Sequence, residues 1–93
     1  METLTLKATN LARAIDLDRA AKKLMEHESR RSRNRTVYRL GEKQYVVIFS
    51  FGVVAFLGAT AAEEKLILRL IRSALVDPEE KGWSDTYLVD VDP

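Results

Sequence analysis

Polar and apolar positions alternate from Thr3 to Ala8, placing Leu4, Leu6 and Ala8 on one side. A period of two predicts a half-buried strand there. Asn10 to Ile15 has no decisive period and fits either a loop or an early helical turn. Leu17, Ala20, Ala21, Leu24 and Met25 then recur at helical spacing, with Asp16 placed as the N-cap. Glu28 to Asn34 reads ESRRSRN and contains no apolar side chain. No core can hold such a stretch, so it predicts a mobile loop.

Thr36 to Leu40 predicts a short strand, followed by a turn at Gly41-Glu42. Tyr45 to Gly58, YVVIFSFGVVAFLG, is a fourteen-residue segment with almost no polar side chain. Its β-branched and aromatic residues predict antiparallel strands at Tyr45–Phe49 and Val53–Leu57, around a Ser50-Phe51-Gly52 turn. Neither strand alternates with polar residues, so both of their faces are expected to be covered. Gly52 suits the turn, and Gly58 a tight exit from strand to helix.

Thr60-Ala61-Ala62-Glu63 matches a capping box and starts a second helix, expected to run to about Leu75. Ile67, Leu70, Ile71 and Ala74 form its apolar face with Leu66 beside it, and Lys65, Arg69 and Arg72 lie opposite. Leu68 and Leu75 widen that stripe beyond what one sheet face requires. Asp77-Pro78 is expected to end the helix, because proline disfavours helical backbone in the residue before it. Asp85 to Asp92 predicts a last strand with Tyr87, Val89 and Val91 inward.

The order is therefore strand, helix, two or three strands, helix, strand. It predicts a single α+β domain over residues 1–93, with two helices on one face of an antiparallel sheet, as in ferredoxin-like and similar two-layer sandwiches. The other face of that sheet would be bare, although its central strands are apolar on both sides. A second copy, or further chain beyond Pro93, is expected to cover it.

Composition narrows the chemistry. The chain has no cysteine, which excludes disulfides, thiolate metal sites and cysteine nucleophiles and fits a reducing, cytoplasmic setting. METLTLKATN lacks the basic-then-apolar order of a signal peptide, and the longest apolar run is short of the ~20 residues that span a bilayer. A soluble domain without a membrane span is expected. Net charge is only +1, but Lys22, Lys23, Arg30, Arg31, Arg33, Arg35 and Arg39 cluster, and six carboxylates lie between Asp77 and Asp92. Opposed patches of this kind attract within one chain or between copies.

No constellation for catalysis emerges. His27, the lone histidine, falls at the polar end of the first helix, where a solvated role is the simpler reading. Asp16 and Asp18 read as a cap and a first-turn charge. Asp90 and Asp92 project from one strand face, but two carboxylates without a ligand loop make a poor cation site. Gly52 and Gly58 lack the spacing of a dinucleotide or phosphate loop. No catalytic residue, metal or cofactor is expected.

Phe49 to Phe56, FSFGVVAF, can be laid on the signature strand of an RNA-recognition module. Phe51, Gly52, Val54 and Phe56 match, while Phe49 replaces the basic residue, Ser50 the first glycine and Val53 a stacking aromatic. Leu4 to Leu11 also lacks the aromatic expected on the first strand, and stacking needs that π-face. Arg30, Arg31, Arg33 and Arg35 remain the candidate contacts for non-specific binding to phosphates.

The segment Val47-Ile48-Phe49-Ser50-Phe51-Gly52-Val53-Val54-Ala55-Phe56 resembles the central motif of the YagE-like family, also called the Required for Meiotic nuclear Division family. The Thr60 to Leu75 helix and Ala14-Ile15-Asp16-Leu17 resemble its flanking segments, so the likeness covers most of the chain. Ala55 departs from the larger β-branched residue common there. The resemblance implies the N-terminal domain of longer proteins that continue into helices, often with a membrane-spanning segment. It implies no catalytic residues and points to scaffolding or assembly, with organelle or membrane attachment for longer relatives.

Together these readings favour a non-enzymatic domain that self-associates or docks another protein. Phe49, Phe51, Val53 and Phe56 are the candidate anchors, with Leu68 and Leu75 on the second helix. The alternative is RNA or other nucleic-acid binding through the Arg30–Arg39 segment.

Overall fold

The computed structural model describes residues 2–78 and 83–91. Its elements are β1 (Glu2–Asn10), β2 (Ala12–Ile15), α1 (Leu17–Lys23), β3 (Ser29–Arg31), β4 (Arg35–Gly41), β5 (Gln44–Phe49) and β6 (Val53–Leu57). They continue with α2 (Ala61–Leu70), a 3-10 turn (Arg72–Ala74), β7 (Leu75–Pro78) and β8 (Ser84–Val91). Six strands form one antiparallel sheet in the order β3-β4-β5-β6-β1-β8, and β2 pairs with β7 in a separate two-stranded ladder. This is an α+β two-layer fold. The four strands β8-β1-β6-β5 follow the order of a split β-α-β sandwich, extended beyond β5 by β4 and β3.

Local chemistry sets the helix starts as expected. Asp16 accepts from the backbone N–H groups of Asp18 and Arg19, both at 3.1 Å. Thr60 and Glu63 close a reciprocal capping box at 2.9 and 3.1 Å. Both helices cover the same sheet face. Leu17, Ala20 and Leu24 of α1 and Ile67 and Ile71 of α2 pack with Tyr38, Val46, Ile48, Val54 and Phe56. The register aligns Tyr38 with Val46 and Phe56, and Ile48 with Val54, so these side chains share one face.

Two expectations need correction. Glu28 to Asn34 is not a loop throughout: Ser29–Arg31 is a strand paired with Thr36–Tyr38. A ladder is made by the backbone and needs no apolar side chain, and charged residues on an edge strand discourage further pairing. The second helix stops at Leu70, short of Leu75. Leu75 instead starts β7, whose partners in β2 are Ala12, Ala14 and Ile15, so the Asn10–Ile15 ambiguity resolves as a strand from Ala12. Satisfying that ladder outweighs the small propensity gain of one more helical turn. As expected for two helices on one side of the sheet, the face of β5 and β6 away from the helices is left uncovered by the described residues.

Gly52 explains how the β5–β6 turn is held. Its carbonyl accepts from Leu11 N–H at 2.9 Å and from Ala12 N–H at 3.4 Å. Its φ is +97°, and a Cβ placed there would stand 1.8 Å from the Ala12 carbonyl oxygen. Only glycine allows both the backbone angle and this approach.

Candidate interaction surface

The open face is assembled by strand register. One row runs Arg39, Tyr45, Leu57, Leu6 across β4, β5, β6 and β1. The next runs Arg30, Val37, Val47, Ala55, Ala8, Asp85 from β3 to β8. Beyond it, Arg35 pairs with Phe49, and Val53 with Asn10. Directly paired residues project from the same face, and these rows alternate with the core rows.

The stripe of Leu4, Leu6 and Ala8 therefore points away from the helices. Lys7 and Thr9 pair with Phe56 and Val54 and occupy the helix side. There Lys7 meets Glu64 of α2 at 3.2 Å. Leu4, Leu6, Ala8, Val37, Tyr45, Val47, Phe49, Ala55 and Leu57 are each partly exposed. The centre of the face is aliphatic, with three exposed arginines (Arg30, Arg35 and Arg39) toward one edge. Glu28, Arg30, Val37, Arg39 and Tyr45 line a shallow groove of about 530 Å³ there, and Arg39 approaches Glu28 at 3.8 Å.

The anticipated anchors separate. Phe49 lies on the open face, and its ring sits 5.0 Å from that of Phe51, which is 55% exposed at the turn. Val53 is on the open face but only 7% exposed. Phe56, at 3%, belongs to the core under the helices and offers nothing to a partner. Leu68 and Leu75 pack partly buried against the core, whereas Leu66 is the leucine that α2 exposes. The side chains of Tyr87, Val89, Asp90 and Val91, and the whole of Asp92, lie outside those described. Leu4, Leu6, Val37, Tyr45, Val47, Ala55 and Leu57 are surface residues not anticipated individually. The signal for them was the missing polar alternation in β5 and β6.

Arg30, Arg31, Arg33 and Arg35 are all exposed. They do not form one patch: Arg31 pairs with Thr36 on the helix side and bonds Asp18 of α1, while Arg30 and Arg35 belong to the open face. The RNA-recognition alignment also meets an obstacle, since its Val54 and Phe56 face the core and not the open side.

On the helix side, the Tyr38 phenol and the Thr36 hydroxyl are buried without a hydrogen bond of ordinary geometry among the described residues. Burial pushes the Tyr38 phenol above its usual range, opposed in part by the Arg31 guanidinium and the adjacent Thr36 hydroxyl. Among the described residues no three metal-ligating side chains cluster, and no helix is long and apolar enough to cross a membrane. No family model matches the chain, and no curated protein or solved structure matches it either.

Proposed function

We propose that this is a non-enzymatic assembly domain that pairs with a second copy of itself through the open sheet face. The observation that carries the reading is the partly exposed apolar surface built by Leu4, Leu6, Val37, Tyr45, Val47, Ala55 and Leu57 across β1, β4, β5 and β6. A contiguous apolar face of this kind is the usual mark of an interface, and two sheets stacking face to face exclude water from it efficiently. Completing the burial of one such side chain stabilises a pair by a fraction of the roughly 1.5–3 kcal/mol for full burial, so several are needed together. The resemblance to the YagE-like family points the same way, toward assembly as the N-terminal domain of a longer protein. Light scattering across a dilution series tests the reading. The wild type should give a dimer mass, and Val47→Glu a folded monomer by circular dichroism. A wild type that stays monomeric at its highest soluble concentration would overturn it.

A second reading rests on the Phe49–Phe51 ring pair beside Arg35, of which Phe51 is exposed: single-stranded nucleic acid stacking there, with phosphates on Arg30 and Arg35. It requires binding that weakens steeply with salt and is lost when Arg30, Arg31, Arg33 and Arg35 become alanine. Salt-independent or undetectable binding to an oligonucleotide rejects it.

A further inference from the structure

We infer that the two copies are related by a two-fold axis parallel to the strands, so that Arg30 of each copy covers Asp85 of the other. The inference rests on the self-association proposed above. Its basis is one residue row that crosses the whole sheet: Arg30–Val37–Val47–Ala55–Ala8–Asp85. The row is basic at one end, acidic at the other and apolar between. Both end residues are exposed, and neither makes an ion pair among the described residues.

Two sheets stacked face to face about a two-fold axis have two simple arrangements. An axis across the strands keeps the strand order, placing Arg30 over Arg30 and the arginine edge over itself. An axis along the strands reverses the order, placing β3 of one copy over β8 of the other. The row then meets its own reverse, and two opposite-charge contacts form at once. Like charges face to face are strongly disfavoured at interfaces, so electrostatics selects the second arrangement.

The dimensions agree. Six strands give five intervals of ~4.8 Å, so the row is ~24 Å long and its ends lie ~12 Å from an axis between Val47 and Ala55. Stacked sheets are ~10 Å apart and rotated by ~30°, which displaces the row ends by ~6 Å. An arginine side chain spans that offset. At the centre, Val47, Ala55 and Ala8 are small enough for the two sheets to approach closely.

The test is a charge-swap cycle read as the dimer dissociation constant at low salt. Arg30→Glu and Asp85→Arg should each weaken the dimer about tenfold, and the double variant should recover to within about threefold of wild type. A wild-type dimer whose singles are unchanged, with Val47→Glu still monomeric, would sink the axis and leave the face intact. A monomeric wild type removes both readings. A second measurement is independent of affinity, because the chain has no cysteine. Mixed Arg30→Cys and Asp85→Cys proteins should crosslink to each other through a bismaleimide spacer, since the ~10 Å sheet separation is too wide for a direct disulfide. Crosslinking of Arg30→Cys to itself alone would assign the other axis.

Discussion

Replacing Gly52 by alanine should cost this domain a large share of its stability. The added methyl would stand 1.8 Å from the Ala12 carbonyl oxygen and 2.7 Å from its carbon, and both are backbone atoms of a fully buried residue. The turn must therefore move by more than an ångström. Three hydrogen bonds span the junction: Leu11 and Ala12 N–H to Gly52 O at 2.9 and 3.4 Å, and Ile15 N–H to Ser50 O at 3.0 Å. Each contributes about 1 kcal/mol net, and left-handed backbone adds about 1–2 kcal/mol of strain for a residue with a Cβ. The sum is roughly 4–5 kcal/mol, against about 5–14 kcal/mol expected for a chain of this length. Urea denaturation followed by circular dichroism reads it. A loss of about 4 kcal/mol at a slope of about 1.5 kcal/mol/M lowers the midpoint by ~2.7 M. Gly41→Ala is the control, since a Cβ there meets only the Gln44 side chain, which can swing aside. If both variants melt at the same urea concentration, the close approach at Ala12 is not what requires glycine.

Tyr38 gives a pH prediction. Its phenol is raised in the folded state, so its contribution is fully present below the unfolded value of about 10 and is lost as pH rises above it. Stability should fall across that alkaline window in the wild type and fall less in Tyr38→Phe, as thermal melts at pH 9 to 11 will show. At neutral pH the same variant should stay within about 1 kcal/mol of wild type, because its hydroxyl makes no hydrogen bond of ordinary geometry among the described residues. Thr60→Ala removes one half of the capping box and should cost about 1 kcal/mol in urea denaturation. Ile67→Ala, which empties a site 1% exposed between α2 and the sheet, should cost about 2–5 kcal/mol by the same measurement.

What could be read from the chain was what local chemistry decides. Asp16 and Thr60 cap their helices through atoms two or three residues away, and Val53–Leu57 has β-branched and aromatic side chains that suit only a strand. Ser29–Arg31 and Leu75–Pro78 stayed hidden because distant partners hold them: β4 for one, and β2, some sixty residues earlier, for the other. The apolar stripe of β1 was visible, but its direction was not. The side to which Leu4 and Leu6 point is fixed by the register with Leu57, and no pattern within β1 carries that information. For the same reason Phe56 and Phe49 looked equivalent as anchors, although one faces the helices and the other faces outward.

The position of β1 has a consequence for synthesis on the ribosome. It lies between β6 and β8, so the first strand of this domain pairs only with strands that emerge roughly fifty and eighty residues later. Local hairpins β4–β5 and β5–β6 close first, and the β1 pairings carry the loop-closure cost. Until β8 is released, β1 has one free ladder edge beside its leucine stripe. A nascent chain stalled short of Ser84 would therefore be the form most in need of a chaperone.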